Sequence, residues 1–151
     1  MRAVVQRASQ ATVSVDAEVK GQIAQGLCVL VGIEASDTAA DLAWMADKIV
    51  HLRIFEDAQE KMNLSVLDVR GGVLLVPNFT VAGEAAKGRR PSFDNAMRPE
   101  TAEPMFRELA RRVAELGVTV ATGVFRAMMK VSIVNDGPVT IVLQSPRRGE
   151  P

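Results

Sequence analysis

The segment IVNDGPVTIV, residues 133–142, decides how the end of the chain folds. Two runs of β-branched residues flank Asp136-Gly137-Pro138. Proline cannot donate a ladder hydrogen bond, and glycine brings no side chain to pack. Asn-Asp-Gly-Pro is turn chemistry. The segment therefore reads as two strands, 128–134 and 139–144, joined by a tight turn.

Working back from that turn, residues 118–122 form another strand. The helix before it spans about 101–116, with Met105, Leu109, Val113 and Leu116 in register and Gly117 suited to its C′ position. Gly83 to Arg98 is a long polar loop of the kind that is often functional in a small domain. Residues 72–76, Gly-Val-Leu-Leu-Val, and 26–33, Gly-Leu-Cys-Val-Leu-Val-Gly-Ile, are unbroken apolar runs, as expected of strands buried on both faces. Between them, Ser36, Asp37 and Thr38 offer caps for a helix running to about His51, with Leu42, Met45, Ile49 and Leu52 on one stripe. Arg53-Ile54-Phe55 is a short strand, and 56–63 is a polar loop. At the start, 2–6 and 11–19 read as strands, followed by a turn at Lys20-Gly21-Gln22. The result is a single α+β domain over residues 1–145, with roughly seven strands and two main helices. Residues 146–151 read as a flexible tail.

Composition narrows the chemistry. The 151 residues suit one domain with one core, and 48% of them are apolar. No run approaches the ~18 apolar residues of a membrane span, and Met1–Arg7 turns polar too soon for a signal peptide. A cytoplasmic protein with no membrane contact is expected. Cys28, the only cysteine, sits in Leu-Cys-Val-Leu and reads as a buried small hydrophobe. Lys plus Arg equals Asp plus Glu at 18 each, which argues against coating nucleic acid through phosphates. Local basic patches remain at Lys87-Gly88-Arg89-Arg90 and Pro146-Arg147-Arg148. One histidine, His51, and one cysteine cannot form a His/Cys metal cluster. No metal and no cofactor are expected. There is no Gly-x-Ser-x-Gly elbow, no Walker loop and no Gly-x-Gly-x-x-Gly. An enzyme built from this chain lacks the usual side-chain base.

Two strand ends carry unusual chemistry: Pro77-Asn78-Phe79-Thr80 and Asn135-Asp136-Gly137-Pro138-Val139-Thr140. Together they resemble the two signature motifs of D-aminoacyl-tRNA deacylases. Met1–Arg7, Leu52–Asp57, Lys61–Ser65 and Lys87–Phe93 extend the resemblance over nearly everything from residue 1 to about 145. Two departures stand out. The family's usual Ser-Gln-Phe-Thr-Leu is Pro77-Asn78-Phe79-Thr80-Val81 here, and its usual Phe-Gly-Ala is Phe125-Arg126-Ala127.

The resemblance implies a barrel-like mixed sheet and hydrolysis of the ester joining a D-amino acid to the 3′-terminal adenosine of tRNA. It implies a homodimer in which Gly137-Pro138, as a cis peptide, faces the substrate Cα in the partner's pocket and excludes L side chains. Arg7 braces that pair, and Met129 joins the substrate-binding set. Glycyl-tRNA, including that mischarged on tRNA(Ala), would escape such a filter. Asn78, Phe79 and Thr80 form the catalytic set. Thr80 has no neighbouring base in sequence to activate its hydroxyl, so backbone N–H groups near Phe79 and Thr80, with the tRNA 2′-hydroxyl, are the expected catalysts. Two other readings stay open: a hydrolase of another ester or amide with Thr80 as nucleophile, and a non-catalytic RNA-binding module.

Overall fold

In the computed structural model, residues 1–146 are described. Most of the expected tail, and Arg147-Arg148 of the second basic patch, lie outside them. The first strand, β1 (Arg2–Val15), is continuous where the sequence predicts two strands. The turn falls at Asp16-Ala17, both at positive φ. The predicted turn at 20–22 lies instead inside β2 (Glu18–Ile23). Gly21 serves there as a point of close approach, since a Cβ would stand 2.7 Å from the Thr122 carbonyl oxygen.

The chain continues through β3 (Gly26–Gly32) and α1 (Ala39–His51). Thr38 is the N-cap of α1, and its N–H and hydroxyl both donate to the Asp41 carboxylate. A small hairpin follows, β4 (Phe55–Glu56) and β5 (Met62–Leu64), which overlaps both ends of the predicted loop 56–63. Next come β6 (Gly72–Pro77), a 3-10 turn at Phe79–Ala82, α2 (Pro99–Glu115), β7 (Thr119–Thr122) and β8 (Lys130–Gln144). Proline suits the first turn of α2 because its missing N–H has no partner there. Phe106, not Met105, joins Leu109 and Val113 on the buried stripe of α2, and Leu116 is exposed beyond its end. Gly117 occupies the C′ position at φ +100°, as expected.

The main sheet runs β2-β1-β3-β6-β7, and β8 also pairs with β1. β1 is antiparallel to β2, β3 and β8, whereas β3, β6 and β7 are parallel. The close approach of β2 to Thr122 brings the sheet nearly round on itself. The result is one domain with a mixed, barrel-like sheet and two main helices.

Alternation sorts the two apolar runs onto two cores. Leu27, Val29, Val31, Val73 and Leu75 face the helices and meet Met45, Ile49 and Leu109. Cys28, Leu74 and Val76 face the second core with Ala8, Ala11 and Val13. At ~25 cal/mol per Å² of apolar surface, these two layers supply the main driving force for folding. No helix among the described residues is long and apolar enough to cross a membrane.

Candidate active site

Residues 133–142 do not form a hairpin turn. β8 runs through them, and the predicted break is a bulge. Gln6 pairs with Thr140 and Ala8 with Asn135, so residues 136–139 all stand opposite Arg7. An ordinary bulge adds one residue; this one is larger and has its own fastenings. The Asn135 side-chain oxygen accepts the Val139 N–H at 2.9 Å, which closes the base of the loop. Val139 is buried and anchors one side. Gln6 reaches the Thr140 hydroxyl at 3.3 Å on the other. Beneath it, the buried Arg7 donates from Nε to the Asp136 carbonyl at 3.0 Å and from Nη1 to the Ile54 carbonyl at 2.8 Å. The Gly137-Pro138 bond is cis, as the resemblance implies. Gly137 has φ +126°, and a Cβ there would lie 2.8 Å from Val139 Cγ2 and 3.0 Å from Arg7 Nη2. Only glycine fits. Gly137 and Pro138 are themselves exposed. The loop is a stiff main-chain projection held from below.

The second motif sits at the end of β6. The Asn78 N–H donates to the Val31 carbonyl at 2.8 Å, fixing the motif to β3. The chain then enters the 3-10 turn. Its first backward bond runs from the Val81 N–H to the Asn78 carbonyl at 3.2 Å. The Phe79 and Thr80 amides precede that bond, so no carbonyl of the turn receives them. The turn lies close over Gly32, where a Cβ would meet the Ala82 nitrogen at 2.8 Å. The Thr80 hydroxyl donates to the Asn78 side-chain oxygen. An amide oxygen is no base, so this contact orients the hydroxyl without activating it. Asn78, one methylene shorter than the family's usual glutamine, is occupied by this local bond. Phe79 is 60% exposed and meets Phe93 edge-on at 5.3 Å.

A cavity of about 360 Å³ opens beside this turn. Asn78 and Phe79 line it, and Ile33, Met97, Ala102, Phe106 and Phe125 make it apolar. Phe125 leans on Phe106 at 6.3 Å. Arg98 and Arg126 are its charged lining residues. An apolar slot with a few polar groups, beside amides that no carbonyl of the turn receives, can hold a planar apolar group and present a carbonyl to those amides.

The structure thus brings Asn78, Phe79 and Thr80 together, and separately Arg7, Gly137 and Pro138. None of the second group lines the cavity. Met129 does not line it either. Its sulfur accepts the Val124 N–H at 3.4 Å, and its side chain packs against the second core. Lys87, Arg89 and Arg90 are exposed on a small loop closed by the Glu84–Ser92 bridge. His51 ends α1 at the surface, its Nδ1 3.0 Å from the Asp47 carbonyl. Among the described residues no group of three His, Cys, Asp or Glu could hold a metal ion. Cys28 is buried, and desolvation pushes its thiol up to about 11. Sequence reasoning missed the slot walls Phe93, Met97 and Phe106. Phe93 closes one of the segments that carry the resemblance, but for Met97 and Phe106 the only signal was an apolar residue in a polar loop or on a helix face.

The sequence model of the D-Tyr-tRNA(Tyr) deacylase family matches residues 4–144. The D-aminoacyl-tRNA deacylase of Geotalea uraniireducens (strain Rf4) is 51% identical over 150 residues, covering 99% of this chain and 97% of that protein. That of Opitutus terrae (strain DSM 11246 / JCM 15787 / PB90-1) is 53% identical over 149 residues, covering 98% of this chain and 99% of that protein. Among solved structures, the c-Myc DNA Unwinding Element Binding Protein superposes with a TM-score of 0.93 at 41% identity, covering 97% of this chain and 100% of that one. A probable eukaryotic D-amino acid tRNA deacylase superposes at 0.77 and 17% identity, covering 94% and 97%, which shows a shared fold.

Proposed function

The chain belongs to the D-Tyr-tRNA(Tyr) deacylase family, hydrolases of the ester bond of D-aminoacyl-tRNA, and from that premise we propose how its two motifs divide the work. The terminal adenosine lies with its base in the apolar cavity. The ester carbonyl then faces the Phe79 and Thr80 amides as the tetrahedral intermediate forms. One such donor is worth ~10²–10³ in rate. Asn78 holds the Thr80 hydroxyl in place, and the ribose 2′-hydroxyl positions the attacking water. Thr80 is not the nucleophile, because its hydroxyl donates to an amide oxygen, which is no base and cannot take the proton.

Chirality is read by main chain. D and L esters share every group and differ only in direction at Cα. A selective enzyme must therefore exclude the L side chain whatever its nature, and exclusion by clash does this. The Gly137-Pro138 projection supplies the clash, with Arg7 and Asn135 preventing its retreat. Glycyl esters have no side chain to exclude and are cleaved.

The projection acts on a second copy of the chain. Neither Gly137 nor Pro138 lines the cavity of its own protomer. Among the described residues β8 pairs with β1 alone, leaving its other edge open. Val134 and Val142 are exposed along that strand. A homodimer covering β8 would bury them and complete a site whose Phe79 stands exposed.

The observation that carries this reading is the exposed Gly137-Pro138 loop fastened to the buried Arg7. Its test is deacylation of D-, L- and glycyl-esters on one tRNA body. D and glycyl esters should be cleaved and the L-ester spared; equal cleavage of D and L would remove the filter. Replacing the terminal adenosine by its 2′-deoxy form should depress turnover strongly.

A further inference from the structure

The cavity pairs an apolar interior with a rim of one sign. Arg98 and Arg126 are its charged lining residues, and no carboxylate lines it. Both arginines are exposed. The nearest ion-pair partner of Arg126 is Glu100 Oε1 at 4.0 Å, with both side chains mostly in solvent. No carboxylate among the described residues pairs with Arg98 within that distance. Arg126 also has φ +63°, a conformation that L side chains adopt at a cost. The usual glycine of Phe-Gly-Ala would take it freely.

We propose that Arg126, with Arg98 beside it, grips the phosphodiester on the 5′ side of the terminal adenosine. The inference rests on the reading that the adenosine base occupies the cavity. With the base in the slot, that phosphodiester is the substrate anion nearest the rim. The amino-acid carboxyl is esterified and carries no charge. A guanidinium presents paired donors that match a phosphate, which a glycine at this position cannot do. The site therefore binds a nucleotide, where the apolar slot alone would bind a nucleoside.

The test compares two D-amino-acid esters, one on adenosine and one on a CCA trinucleotide, with the wild type, Arg126→Gly, Arg126→Lys and Phe125→Ala. Glycine suits the backbone at 126, so folding is not at risk. The wild type should prefer the trinucleotide. Arg126→Gly should cut that preference about tenfold, mainly through KM, the size of one charge-assisted contact. Arg126→Lys should keep part of it. The salt slope of log(1/KM) for the trinucleotide should flatten by about 0.7 in Arg126→Gly. Full preference and an unchanged slope in Arg126→Gly would overturn the inference alone, provided Phe125→Ala raises KM on both esters. Phe125→Ala without effect on either would overturn the placement of the base, and the inference with it.

Discussion

Thr80 and Cys28 are the two side chains a chemist would first suspect as nucleophiles, and their surroundings disarm both. The Thr80 hydroxyl donates to an amide oxygen, which cannot take its proton. Thr80→Val removes that donor but no nucleophile. We expect kcat to fall roughly tenfold, the scale of one hydrogen bond, and no acyl-enzyme to appear by mass spectrometry on the wild type. Cys28 is buried between β1 and β6, with its thiol pushed up to about 11 by desolvation. The thiolate is the reactive form. Native protein at pH 8 should therefore resist a thiol reagent for as long as it stays folded, and label promptly in denaturant. Fast labelling of the native state would contradict the burial. His51, with its ring on the Asp47 carbonyl at the surface, should be replaceable by alanine with no change in kcat/KM.

At the scale of elements, the β8 bulge and the β4–β5 hairpin share one clamp. Arg7 holds the Asp136 carbonyl on one and the Ile54 carbonyl just before the other. Arg7→Ala leaves both carbonyls without that donor. A buried charge-assisted hydrogen bond contributes about 1.5–3 kcal/mol, so losing both predicts a loss of about 3–6 kcal/mol in denaturant unfolding. A fall in the D-over-L rate ratio should accompany it, measured on the fraction that remains folded. Arg7→Lys should recover stability better than discrimination, because one ammonium cannot span both carbonyls in the same plane. Two loops are held by carboxylates instead. Asp57 is kept below its ordinary range by the Lys61 and Gln59 N–H groups, and Asp68 by the Ser65 N–H and hydroxyl. Each folded value is depressed. Their stabilisation is therefore complete above the unfolded value of about 3.9 and is lost as pH falls through the folded one. Melting temperature should drop below about pH 4, and Asp57→Asn with Asp68→Asn should flatten that drop.

For the whole molecule, the proposed homodimer would rest on the open edge of β8 and the exposed Val134 and Val142. Val134→Lys with Val142→Lys should shift the protein to monomer in sedimentation and lower D-aminoacyl-tRNA cleavage, while far-ultraviolet dichroism stays native. Two charges at the centre of an interface cost several kcal/mol when unpaired. A monomer that cleaves the D-ester and still spares the L-ester would show that each chain screens chirality alone.

Local pattern and tertiary closure determine different parts of this protein. The apolar runs at 26–33 and 72–76, the Thr38 cap and Gly117 made the two helices and the doubly buried strands readable from sequence, because each signal is satisfied within a few neighbouring residues. The resemblance in Pro77–Thr80 and Asn135–Thr140 likewise identified the family. What no local rule could decide was whether Asn-Asp-Gly-Pro turns the chain or bulges out of a strand. Turn residues serve both, and the choice falls to β1, which runs unbroken opposite and supplies Arg7. Likewise Gly21 reads as a turn until Thr122 closes against it. The cavity is tertiary too: Phe79, Met97, Phe106 and Phe125 are far apart in the chain and meet only when the helices pack on the sheet.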